Sequence, residues 1–179
     1  KPTDGAWSRK HAEPLDGPFV SGLLAATADI PIAVSCTVHE PSGAPDGRVW
    51  NTHIVADGGK LLAAYRKLHL YDAFSGLESA NVVPGDTVPP LVDIDGWKFG
   101  LETCYDVRFP ELSKRLALDG ADLAHLLQLA LELCDAGADV PLVGFELRLA
   151  RASCADAAAK SAHRLVPDGK PRQIVLVLR

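Results

Sequence analysis

Apolar positions change period several times along this chain, and each change marks an element. After Asp16-Gly17-Pro18, the residues Phe19, Leu23, Leu24 and Ala26 recur at helical spacing. That pattern predicts a helix with Asp16 or Gly17 near its cap and Pro18 in its first turn. Residues 30–38 form an apolar, β-branched run with Pro31 near its start, which predicts a strand. A turn-rich stretch over 41–47 precedes a second strand at 49–56, and Asp57-Gly58-Gly59-Lys60 predicts a hairpin into a third at 61–65. Residues 91–94, Asp95-Gly96 and residues 97–101 predict another hairpin. Pro110, Leu112, Leu116 and Ala117 then predict a helix stopped by Gly120.

The remaining stretches are less regular. Residues 1–10 are polar without clear period and are expected to be a loop. Residues 73–90, punctuated by Gly76, Pro84, Gly85, Pro89 and Pro90, are irregular for longer than connections usually are, and such loops are often functional. Residues 123–134 are expected to be an amphipathic or wholly buried helix; 150–162 are alanine-rich, and 173–178 are expected to form a last strand. Periodicity alone therefore predicts a mixed α/β domain.

Composition narrows the functional classes. The 179 residues suffice for one domain with a sizeable core, and 47% hydrophobic with 23% charged residues is a globular balance. A net charge of -5 without a basic cluster argues against a nucleic-acid partner. No apolar run reaches the ~18 residues of a membrane span, so no membrane association is expected. Cys36, Cys104, Cys134 and Cys154 are scattered, which predicts reduced thiols in a cytoplasmic protein, not a disulfide framework or a zinc site. Cys36 with His39 has ligand-like spacing, but two candidates make no metal site. The absence of methionine, with Lys1 first, leads to the expectation of a fragment.

One stretch concentrates chemistry. Residues 97–101 lead as a strand into Thr103-Cys104-Tyr105-Asp106-Val107-Arg108-Phe109-Pro110-Glu111, so Cys104 stands where a strand ends and a turn leads to a helix. Backbone N–H groups near such a turn can stabilise a thiolate and a developing oxyanion. A buried structural thiol is the alternative, since cysteine is among the most buried residue types.

This stretch resembles the nucleophile segment of the nitrilase superfamily, the carbon–nitrogen hydrolases, and in particular its amidase-like branches. Tyr65-Arg66-Lys67-Leu68-His69-Leu70-Tyr71-Asp72 is similar to the family's lysine motif. Gly76-Leu77-Glu78-Ser79, followed by Pro84-Gly85-Asp86, is similar to the segment between lysine and cysteine. The resemblance covers roughly 12–124. It implies an α-β-β-α sandwich, present here as a single N-terminally truncated domain whose residues 125–179 do not align with the family. It also implies hydrolysis of a non-peptide carbon–nitrogen bond in a small amide through a cysteine thioester, without cofactor or metal, in a homodimer or larger homo-oligomer.

By resemblance Cys104 is the nucleophile, the Tyr105 N–H joins the oxyanion site, and Lys67 supplies a positive charge beside the oxyanion. Glu78 matches the second glutamate, which orients the lysine and contacts substrate. Arg108 is a weaker candidate for neighbouring a substrate carboxylate; with Glu111 it is otherwise expected in structural pairs around the nucleophile helix. Lys67 as a solvated strand-end lysine, and Glu78 as an exposed loop carboxylate, remain alternatives. His69 is expected to pack or hydrogen-bond. Relatives carry a further glutamate, the general base, in a Phe-Pro-Glu-like segment that has no counterpart before Ala12; Glu13 follows that position and is not assigned. This predicts a chain that turns over amides slowly or not at all. Two competing readings stand beside it: a cysteine hydrolase using His69 or His125, and a truncated or degenerate paralogue acting as a binding or assembly module.

Overall fold

A computed structural model describes residues 5–73, 76–127 and 173–176. Helix α1 (Gly5–Lys10) is followed by α2 (Pro18–Thr27) and by strands β1 (Ile32–Pro41), β2 (Val49–Asp57) and β3 (Lys60–Arg66). Short strands β4 (Asp72–Ala73) and β5 (Gly76–Leu77) lead to a 3₁₀ turn at Glu78–Ala80. Strands β6 (Val92–Ile94) and β7 (Trp97–Thr103), a 3₁₀ segment at Cys104–Arg108, helix α3 (Pro110–Leu118) and strand β8 (Leu123–Leu127) come next, and β9 (Gln173–Leu176) is last.

Two sheets carry the fold. One runs β3-β2-β1-β9, with β9 parallel to β1; the other runs β6-β7-β8, with β8 parallel to β7. Alternation along the strands assigns their faces. Ala33, Val55, Ala63 and Tyr65 of the first sheet pack on Val92, Ile94 and Leu101 of the second. On the first sheet's other face, Cys36, Val38 and Ile54 pack against Val20, Phe19, Leu23 and Leu24 of α2. On the second sheet's other face, Gly100 lies against Leu116 of α3, and Glu102 meets Ser113 of the same helix. The order α2, sheet, sheet, α3 is an α-β-β-α sandwich. Burying one side chain of the size of Leu101 in the inter-sheet layer contributes roughly 1.5–3 kcal/mol.

Several expectations need correction. The stretch at Gly5–Lys10 is helical, not loop: Trp7 stacks on His11 and meets His39 edge-on, while Arg9 and Lys10 lie in the last turn, where positive charge suits the helix dipole. Asp16 does not cap α2. Gly17 is the cap residue, and the Glu13 carboxylate accepts the Phe19 N–H instead (3.0 Å). Strand β1 starts after Pro31 and leaves Ile30 exposed.

The expected helix at 123–134 is a strand over its first five residues, Leu123–Leu127, in parallel register with Phe99–Thr103. A short apolar run cannot be told from a buried helix by period alone, and the partner strand decides. Residues 128–134, the alanine-rich stretch 150–162 and residues 177–178 lie outside the described residues; Gln173–Leu176 of the expected last strand does pair, with β1.

Candidate active site

Strand β3 ends at Arg66 and delivers Lys67 into the protein, where its side chain is 2% exposed. The backbone around it is fixed on both sides. The Lys67 N–H donates to the Asn51 carbonyl (2.9 Å), and its own carbonyl accepts from the Gly85 N–H (2.8 Å). Glycine is required there: a Cβ on Gly85 would lie 2.2 Å from the Arg66 carbonyl oxygen. Pro84-Gly85-Asp86 thus lets the irregular loop close on the end of β3.

The loop's other contribution is Glu78. Its Oε2 accepts from Lys67 Nζ (2.7 Å) and from the Tyr71 N–H (2.7 Å), and Oε1 accepts from Asn51 Nδ2 (3.4 Å). Arg48 Nη1 holds the same loop through the Ser79 carbonyl (3.2 Å), and the Ser79 N–H donates to Asp72 Oδ1 (2.9 Å). A lysine this deeply buried is costly unless paired, and Glu78 supplies the pair. The solvated-lysine and exposed-carboxylate alternatives do not describe these two side chains.

Strand β7 delivers Cys104. The thiol is half-buried, and the residue has φ 49°, in the left-handed region that non-glycine residues seldom occupy. The backbone then enters the 3₁₀ segment Cys104–Arg108, whose leading N–H groups, Tyr105's among them, have no acceptor within the helix. A reciprocal capping box closes the turn: the Asp106 N–H donates to the Thr103 side chain, and the Thr103 N–H donates to Asp106 Oδ2 (2.9 Å).

Asp106 is the residue that sequence reading left unassigned. It is fully buried, and its carboxylate also accepts from the Tyr65 hydroxyl at Oδ2 (2.8 Å). Its Oδ1 accepts from the His69 N–H (3.1 Å) and meets His69 Nδ1 (2.8 Å). The signal was present, because Thr103-Cys104-Tyr105-Asp106 has capping-box spacing.

Burial also acts on other titratable groups. Burial, and then the Asp106 charge, raise the Tyr65 hydroxyl well above its ordinary value, so it stays a donor. Burial also raises the Glu102 carboxyl; the Ser113 hydrogen bond opposes this and Asp106 adds to it. His39 is lowered by burial against the opposing charge of Glu78, with His11 adding to the lowering. A buried chain runs from Thr103 Oγ1 to His53 Nδ1 (3.3 Å) and from His53 Nε2 to Ser35 Oγ (2.7 Å), anchoring the turn to the first sheet.

The other predicted residues divide. Tyr105 packs edge-on against Tyr71 and Phe109, so the turn touches the lysine loop through aromatic rings as well. His69 stacks on Phe109 with ring centroids 3.8 Å apart and bonds Asp106, as a packing and hydrogen-bonding role requires. Arg108 is exposed, as is Glu111, and the expected structural pairs involving them are not formed among the described residues. Cys36 faces α2 in the core and His39 does not share its environment. Glu13 serves the start of α2 through its carboxylate.

Comparison with known proteins reaches the same segments. The carbon-nitrogen hydrolase family profile matches residues 5–134. Deaminated glutathione amidase of Escherichia coli O157:H7 is 42% identical over 123 residues, which are 69% of this chain and 46% of that protein. A hydrolase of Mycobacterium tuberculosis (strain H37Rv) is 45% identical over 118 residues, 64% of this chain and 41% of that protein. Among solved structures, Saccharomyces cerevisiae Nit3, of branch 10 of the nitrilase superfamily, superposes with TM-score 0.57 at 28% identity, covering 70% of this chain and 46% of its own. A glutamate-to-glutamine mutant of the amidase of Nesterenkonia sp. AN1, solved with acrylamide added at its active-site cysteine, gives TM-score 0.57 at 29% identity over 69% of this chain and 47% of that one. The chain thus spans somewhat under half the length of the relatives it matches.

Proposed function

This chain belongs to the carbon-nitrogen hydrolase family, and on that premise we propose that it carries the nucleophile half of an amidase site, with Cys104 attacking a small amide. The observation that carries the reading is a cysteine held at φ 49° where a strand meets a 3₁₀ turn. Strain of this kind concentrates at functional sites.

The chemistry follows from the parts. The Cys104 thiolate forms an S–C bond to the amide carbon, and the carbonyl oxygen takes up negative charge. In this reading the Tyr105 N–H and Lys67 Nζ face that charge, and the Glu78 carboxylate holds Lys67 in orientation. Collapse breaks the C–N bond, the leaving nitrogen takes a proton from solvent water, and a thioester remains at Cys104 for water or hydroxide to hydrolyse, which releases the acid and restores the thiolate. A nucleophile and charged groups on this half of the sandwich suit a short polar amide, and the exposed Arg108 suits one bearing a carboxylate. That substrate class agrees with a relative named for deaminated glutathione. A protein of the cytoplasm, with a homodimer or larger homo-oligomer as its working form, fits this reading.

A second reading rests on the contact between His69 Nδ1 and buried Asp106 (2.8 Å), the arrangement by which a carboxylate orients the imidazole of a cysteine–histidine pair. The stacking of His69 on Phe109 and the ion pair at Lys67 favour the lysine reading.

The test uses acrylamide, which takes an S–C bond to its β-carbon and a proton at its α-carbon, and so reads the thiolate without requiring hydrolysis. Intact-mass kinetics on the folded chain are expected to show one adduct, at Cys104, forming at least about ten-fold faster at neutral pH than on the same chain unfolded. A folded rate equal to or below the unfolded rate would sink the proposal. Loss of the acceleration in His69→Ala but not in Lys67→Ala would transfer it to the histidine reading.

A further inference from the structure

Cys104 and Lys67 directly follow strands of different sheets, β7 and β3, and hydrolysis by the reading above requires them to keep one relative placement. We propose that Asp106 is the positioning residue that fixes this placement, its carboxylate tying the nucleophile turn to the lysine segment. The inference rests on the amidase reading and adds to it a residue outside the reacting set.

The geometry is a four-donor clamp. From the nucleophile side comes the N–H of Thr103, the residue before Cys104 (2.9 Å). From the lysine side come the Tyr65 hydroxyl (2.8 Å) and the N–H and ring Nδ1 of His69 (3.1 and 2.8 Å), two residues either side of Lys67. The Tyr65 hydroxyl in turn accepts the Leu68 N–H (3.1 Å), so the residue after Lys67 is also held. Each functional residue is therefore bracketed: Cys104 between Thr103 and Asp106, Lys67 between Tyr65 and His69. The carboxylate is fully buried. An ionised carboxylate offers about four acceptor sites, and the four donors occupy them.

Asparagine keeps the shape and loses the function. Its NH₂ group offers no acceptor, so either Thr103 or the His69 backbone faces a donor and the clamp opens on one side. A misplacement of about 1 Å between reacting groups costs on the order of a hundred-fold in rate. The effect at Cys104 should be visible as chemistry and not only as lost stability, because moving Lys67 away from the thiolate removes the charge that favours it.

The experiment measures acrylamide labelling of Cys104 against pH in the full chain, wild type and Asp106→Asn, with the fold checked by circular dichroism at the same temperature. Folded Asp106→Asn is expected to label at least about ten-fold more slowly at neutral pH, with the midpoint of its pH profile displaced upward. Tyr65→Phe removes one donor and leaves the carboxylate, so it is expected to move the midpoint in the same direction by less. It also serves if Asp106→Asn does not fold. A folded variant with an unmoved midpoint overturns the positioning role, whatever its melting temperature. Wild-type labelling no faster than in the unfolded chain fails the amidase reading itself, and the clamp with it.

Discussion

Strand β7 runs between two turns, and both place a non-glycine residue in the left-handed region. At its start, Asp95 has φ 53° and Gly96 φ 77°; at its end, Cys104 has φ 49°. The first turn is explained by its own sequence. Aspartate tolerates this conformation, glycine prefers it, and two such residues give the two-residue hairpin that suits strand twist. The Gly96 N–H donates to Asp93 Oδ1 (2.8 Å), so even the stabilising contact is local. The second turn has no such chemistry. Cysteine gains nothing from a positive φ, and its neighbours Thr103 and Tyr105 do not ask for one. The Thr103–Asp106 capping box closes it locally, and the further support comes from afar: Tyr65 and His69 through Asp106, and His53 through Thr103. One turn is held by its own residues alone, the other also by residues of the facing sheet.

The largest test of that contrast lies in chemistry. If the Cys104 turn exists to set a thiolate beside a buried lysine, Lys67→Ala should lower the folded-state labelling rate of Cys104 by on the order of a hundred-fold, the scale of removing one oxyanion-stabilising group. Lys60→Ala, at the exposed start of β3, should leave it unchanged. Equal rates in Lys67→Ala and wild type, both folded, would show that the two elements are not joined in function.

The same contrast explains what the sequence could and could not reveal. Elements whose causes are local were legible: the α2 start at Gly17-Pro18, the Gly58-Gly59 and Asp95-Gly96 hairpins, and α3 after Pro110 all carry their own turn chemistry. The three blocks that carry Cys104, Lys67 and Glu78 stood in order in the sequence, and the ion pair between Lys67 and Glu78 came only with the fold. For Asp106 the capping-box spacing with Thr103 was legible, but its further contacts were not, because Tyr65 and His69 reach it across the sandwich from some forty residues away. Leu123–Leu127 failed for the same reason, since only the register with β7 makes an apolar run a strand. Helix α1 failed because its contacts, Trp7 with His39, are equally remote.

Backbone strain gives a sharper and smaller test. Left-handed φ costs an L-residue about 1–2 kcal/mol relative to glycine. Cys104→Gly should therefore be more stable than Cys104→Ala by about 1 kcal/mol, less the greater flexibility of glycine in the unfolded chain. Asp95→Gly should differ from wild type by only a few tenths of a kcal/mol, because aspartate already tolerates the turn. Denaturant midpoints of these variants decide it. Identical stabilities for Cys104→Gly and Cys104→Ala would mean that the second turn is no more strained than the first.

The smallest expected effect concerns Glu102, two residues before Cys104 on the strand that feeds the turn. It is a second local anomaly at this end of β7, a carboxyl 1% exposed beneath α3 with the Ser113 hydroxyl as its partner. At the other end of the strand Asp95 is exposed. Burial, reinforced by Asp106, raises the Glu102 pKa in the folded protein. The folded state therefore holds the proton more tightly than the unfolded chain does. Its effect on stability is most favourable below the ordinary glutamate range, and is lost as pH rises through that range to the raised folded value. Glu102→Gln removes the ionisation while keeping a donor and an acceptor for Ser113. It should raise the melting temperature at neutral pH, with the gain shrinking to nothing as pH falls below the ordinary glutamate range. Thermal melts of the variant and the wild type across that range supply the comparison. A gain that grew in acid, or no gain at neutral pH, would show that the buried carboxyl is satisfied where it lies and that the nucleophile end of β7 carries no electrostatic strain.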